Sequence, residues 1–111
     1  MISLALIAML AAAAPADGMT QPRKAYEQCL LKLQESEIAE KAEPTKFDAA
    51  LGTSCAAQEV ALKSAITAHY IGMKTPRAEA EQSARDWVAD LQEGARERYR
   101  SNLAAQTPQS N

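Results

Sequence analysis

A hydrolytic or transfer site needs a nucleophile with a base beside it, and the commonest base is histidine. This chain has one, His69, in a stretch of helical apolar spacing three residues after Ile66. A lone histidine on the edge of an apolar stripe reads as a border residue of the core rather than a catalyst. His69 and Met73 are four residues apart, so a continuous helix would set imidazole and thioether on one face, as copper or haem requires. Gly72 between them and the lack of a second histidine leave that set incomplete. A metal or small-ligand carrier built on His69 is therefore the least favoured reading.

The carboxylates are spread along faces, not gathered. Glu35, Glu37, Glu40 and Glu43 form an acidic edge. Glu37 with Lys41, Glu81 with Arg85, Glu93 with Arg96 and Glu97 with Arg100 have the spacing of exposed helical pairs. No run supplies the Asp and Gly positions of a calcium loop. Gly-rich phosphate loops and zinc-type Cys/His spacings are missing too. The sequence thus nominates no catalytic residue, no metal ligand and no cofactor, and the expectation is a protein that is not an enzyme.

Two features point instead to contact with a partner. Arg96, Arg98 and Arg100, with Tyr99 among them, make a locally basic helix end that suits an acidic surface, although cations there also complement the helix dipole. Trp87 beside Leu91 is either the anchor of the core or an exposed docking residue. Trp87, Leu91, Arg96, Arg98, Tyr99 and Arg100 are therefore the candidate partner-binding residues.

Other residues set the compartment. Ile2 to Ala14 is apolar apart from Ser3 and runs into Ala14-Pro15-Ala16 before Asp17. That is the apolar core and small-x-small cleavage site of a signal peptide, here residues 1–16, and it is shorter than the ~20 residues of a membrane span. No Lys or Arg precedes it. The expected product is periplasmic or secreted, with no stable membrane insertion after cleavage. Its formal charge of −2 gives no electrostatic footprint for nucleic acid.

Cys29 and Cys55 are the only cysteines. In an exported chain such a pair is expected to form a disulfide, since the Cys-x-x-Cys spacing of a redox pair is absent. Closing a loop of this length contributes about 3–4 kcal/mol in the chain-entropy model.

The elements that must position these residues are all helical, as strand-like alternation is absent. One helix is expected from an N-cap at Thr20 to Pro44, with Tyr26, Cys29, Leu30 and Leu33 on one face. A second is expected from a cap at Thr45 through Phe47, Leu51, Cys55, Leu62, Ile66 and Tyr70 to a C-cap at Gly72. The third and longest opens at Thr75-Pro76 and carries the stripe Ala80, Ala84, Trp87, Val88, Leu91, Ala95, Tyr99 and Leu103.

At 1.5 Å per residue Cys29 and Cys55 lie about 20 Å and 14 Å from the first connection, so their disulfide would clamp an antiparallel hairpin across its middle. Ala49, Ala50, Ala56, Ala57, Ala61 and Ala65 are expected to let the helices approach closely. The fold class expected is all-α: a disulfide-clamped helical hairpin plus a long third helix, as one domain over residues 17–105, with a frayed tail at 106–111.

Large aliphatic side chains are sparse in that domain, and a thin core in a small domain calls for a staple, a partner or a second copy. The functional expectation is a protein-binding or envelope structural module, with self-association among its partners. The alternative is a periplasmic chaperone or inhibitor that presents an apolar helical face.

Overall fold

The computed structural model describes residues 18–106, so the expected signal peptide and residues 107–111 of the expected tail lie outside the described residues. The described chain is all-helical. Its helices are α1 (Thr20–Ala39), α2 (Pro44–Leu51), α3 (Ala56–Gly72) and α4 (Arg77–Gln106).

The expected second helix is two helices, and the break falls at Gly52–Cys55. Gly52, Thr53 and Ser54 are weak helix formers, and hydroxyls compete for backbone partners. The Ala50 carbonyl accepts the N–H groups of Thr53 at 3.1 Å and Ser54 at 2.8 Å, and this ends α2 in tight turns. Pro44 opens α2 rather than only stopping α1. Glu43 is the N-cap, extended at φ −65° and ψ 151° as a residue before proline must be, and Thr45 falls inside the helix. At the start of α1 the cap is Met19, one residue before Thr20, with no side-chain cap bond.

Both long-helix ends that lead into turns close in the same way. After α1, Lys41 N–H donates to Ile38 O and Ala42 N–H to Glu37 O, each at 3.0 Å. After α3, Lys74 N–H donates to Ile71 O at 2.9 Å and Thr75 N–H to Tyr70 O at 3.0 Å. These are Schellman turns, whose residue past the cap is left-handed and usually glycine. Here it is lysine, with φ 54° at Lys41 and 68° at Lys74. The expected cap Gly72 is instead the last helical residue.

The disulfide forms between Cys29 of α1 and Cys55, with Cα atoms 6.0 Å apart. Cys55 is the N-cap of α3, so the bond ties the body of α1 to the start of α3 rather than crossing the middle of a hairpin. Moving along α1 from Cys29 back to Tyr26, the facing position shifts from Cys55 to Glu59, so α1 and α3 are antiparallel. Tyr26 sits level with Gln92, and the turn after α1 with Tyr99, so α1 and α4 run parallel. The most extensive interface joins α3 to α4.

The core is built as the α4 stripe anticipates: Ala80, Ala84, Val88, Ala95 and Tyr99 are buried, and Trp87, Leu91 and Leu103 pack against its edge. Tyr26, Leu30, Ile38, Phe47, Leu51, Cys55, Leu62 and Ile66 join it. The alanines expected at close contacts are not there. Ala49, Ala56, Ala57 and Ala61 are exposed, with Ala50 and Ala65 half-buried. Close approach falls to Ala80, Ala84 and Ala95 of α4, because α3 buries the expected Leu62 and Ile66 and its alanines at 57 and 61 lie on the opposite side.

Phe47 and Tyr99 stack with ring centroids 4.2 Å apart and planes within 5°. The Tyr99 hydroxyl donates to the Ala42 carbonyl, with the Glu37 carbonyl at 3.3 Å. One side chain of α4 thus seals the C-terminal turn of α1 while its ring holds α2.

Candidate functional site

The expected chemistry-bearing residues are dispersed. His69 is exposed, its ring edge-on to Tyr70 at 5.6 Å. Among the described residues no three His, Cys, Asp or Glu side chains are grouped to hold a metal ion. No helix among them is long and apolar enough to cross a membrane.

The six candidate partner-binding residues do not form one surface. Trp87 and Leu91 are half-buried against the core. Tyr99 is fully enclosed, in the core with the α4 stripe, and its hydroxyl serves the α1 turn. Arg96 and Arg100 fold back onto α2: Arg96 Nε lies 3.3 Å from Asp48 Oδ1 and Arg100 Nη2 4.0 Å from Oδ2. Arg98 is exposed beside Gly94, on another side of the helix. Of the anticipated surface pairs Glu93–Arg96 forms at 3.3 Å. Glu37 pairs with Lys46 at 3.7 Å instead of Lys41, which the Schellman turn carries away from it.

One polar cluster bridges three helices. Gln92 Nε2 on α4 donates to Tyr26 Oη of α1 at 3.0 Å and to Glu59 Oε1 of α3 at 3.1 Å. Lys63 Nζ then pairs with Glu59 at 2.7 Å. Burial pushes the Tyr26 hydroxyl above its ordinary pKa, against the opposing pull of the Gln92 hydrogen bond. Tyr99 is pushed up too, by burial and then by the charge of Glu37. Each member of the cluster satisfies another, and together they tie the three helices in register.

The outward side of α3 differs from those of α1 and α4. Ala57, Val60, Ala61, Ser64, Ala68 and Ile71 recur at three- and four-residue steps, so they share one face, opposite Leu62 and Ile66. All six are exposed and none is charged, and Val60 is 63% exposed. The exposed side of α1 carries Arg23, Lys24, Lys32 and Glu35, and that of α4 carries Asp86, Asp90, Glu93 and Glu97.

Along one border of this face a groove of about 780 Å³ opens between α3 and α4, lined by those two helices alone. Its apolar floor includes Ala68, Ile71, Gly72 and Ala84, and Ser64 and Thr67 add hydroxyls. Lys63, Arg77, Glu81 and Arg85 line it as well, three cations to one carboxylate in a chain of net charge −2.

The charge-free face was present in the letters Ala57 to Ile71. Small size alone suggests interior contacts for its alanines, but Leu62 and Ile66 take the inward side and leave them outside. No protein family, curated protein or solved structure matches the chain.

Proposed function

We propose that this chain is an exported, non-enzymatic helical module that works by holding another polypeptide against α3. The supporting observation is the exposed face from Ala57 to Ile71, which carries no charge across the length of the helix. A soluble helix face ordinarily carries charge on its solvent side, and an uncharged exposed patch rimmed by polar residues is the mark of an interaction site. The Cys29–Cys55 disulfide accords with an oxidising compartment, periplasmic or extracellular, reached after removal of residues 1–16.

Two measurements test this. Native mass spectrometry without reductant should give a mass beginning at Asp17 and short by two hydrogens. A photo-cross-linking residue at Val60 should give a discrete polypeptide adduct in the producing cell, whereas one at Asp90, on the charged side of α4, should not. Adducts of equal yield from both positions, or from neither, would remove the reading.

A further inference from the structure

The groove beside that face says what kind of polypeptide fits. We infer that the α3–α4 groove receives an acidic amphipathic helix of a partner protein, a proposal that rests on the binding role of α3 and adds the partner's chemistry to it.

Charge is the first reason. Lys63, Arg77 and Arg85 stand against Glu81 alone among the charged residues lining the groove. Lys63 is engaged by Glu59. Arg85 Nη2 donates to the neutral Gln82 at 2.8 Å, and among the described residues neither Arg77 nor Arg85 has a carboxylate within ion-pair distance. Lys46, Lys63, Arg96 and Arg100 end on carboxylates, whereas Arg23, Lys24, Lys32, Lys41, Lys74 and Arg98 share with Arg77 and Arg85 the want of one among the described residues. Of these eight only Arg77 and Arg85 line the groove. Two guanidiniums are thus left beside an apolar floor, and guanidinium is the cation best shaped to bind carboxylate in two-pronged fashion.

Spacing is the second reason. Arg77 and Arg85 are eight residues apart on one helix, about 12 Å along its axis at 1.5 Å per residue. A helix lying along α4 meets both when its own carboxylates are seven or eight residues apart, which also puts them on one face.

Shape is the third. A Cβ added at Gly72 would meet nothing within 4 Å, and Ala68 and Ala84 are short, so the floor leaves room for aliphatic side chains from the incoming helix. An apolar stripe seated in a groove with acids reaching the rim is the helix-in-groove mode of recognition.

The probe is a fluorescein-labelled, end-capped 16-residue helical peptide with leucines at i, i+3, i+4 and i+7 and glutamates seven apart, read by fluorescence anisotropy against the oxidised exported protein. Its counterpart carries lysine in place of the glutamates. The acidic peptide should bind about tenfold more tightly than the lysine one, a rim-charge effect that added salt weakens. Arg77→Glu with Arg85→Glu should reverse the preference. Gly72→Leu should abolish binding while leaving the melting temperature unchanged or raised, since the site is open and helical.

Equal affinity for both peptides, no binding of either, or binding undisturbed by Gly72→Leu would overturn the proposal. So would a dimer in the native mass spectrum that Gly72→Leu dissolves, because the occupant would then be a second copy. Displacement of the peptide by dodecanoate with a Kd tighter than the peptide's own would mark a small amphiphile's site and overturn it equally. A Val60 adduct that survives Arg77→Glu with Arg85→Glu would leave the binding role of α3 standing without this partner chemistry. Loss of the adduct in the unaltered protein removes both.

Discussion

Replacing Tyr99 by phenylalanine isolates the bond that ties α4 to the end of α1. The ring keeps its stack on Phe47, so packing is conserved and only the hydroxyl is lost. The Ala42 carbonyl then has no protein donor in a residue that is 7% exposed. The Glu37 carbonyl still accepts the Ala42 N–H at 3.0 Å and is not orphaned. One lost hydrogen bond plus one stranded buried carbonyl predicts a loss of about 2 kcal/mol. In a domain of this size that lowers Tm by roughly 10 °C.

Urea unfolding followed by circular dichroism at 222 nm checks this, with m expected to stay constant because the exposed area on unfolding hardly changes. Burial raises the pKa values of both Tyr26 and Tyr99 above the ordinary 10.0. Above pH 10 the unfolded chain therefore ionises first, and stability falls as pH rises toward the folded-state values. Tyr99→Phe should flatten part of that alkaline decline. A variant within about 0.5 kcal/mol of the parent at pH 7, with the same alkaline slope, would refute the capping role of this hydroxyl.

Two further outcomes are expected. Cys29→Ala with Cys55→Ala opens a cross-link of sequence separation 26 and should cost about 3.5 kcal/mol by chain entropy, read as a lower urea midpoint in the oxidised comparison. Lys41→Gly and Lys74→Gly each relieve a left-handed non-glycine residue at a Schellman turn and should stabilise by about 0.5–1 kcal/mol, raising the thermal midpoint; a fall in either variant would contradict the strain.

Much of the architecture is legible in the letters, for reasons that differ from element to element. The α4 stripe from Ala80 to Leu103 repeats so regularly that its buried side could be read directly. The disulfide follows from there being only two cysteines. The turn at Gly52–Cys55 is where reading failed, because Phe47, Leu51, Cys55, Leu62 and Ile66 keep helical spacing across a break that is set by local propensity and not by pattern.

The break also puts Cys55 at a helix start, so the disulfide joins the body of α1 to the beginning of α3. Tyr99 reads two ways in sequence, as a member of the α4 stripe and as a residue among three arginines. The return of α4 past α2 buries it with the stripe and sets Arg96 and Arg100 against Asp48. The groove needs Arg77 and Lys63 on facing helices, a proximity that no linear spacing displays.

The placement of Cys29 and Cys55 also orders events during maturation. The three connections between the described helices are equally short, at residues 40–43, 52–55 and 73–76, but the α3–α4 interface is the largest, so this pair is expected to form first. In the folded chain the two sulfurs meet where α1 lies antiparallel on α3, with α2 enclosed in the loop between them, so the bond is expected to form after α1 docks. Oxidation is then a timer on the docking of α1. Thiol trapping at intervals after dilution from denaturant should show the bond appearing no sooner than the Tyr26–Gln92 contact that aligns the same helices.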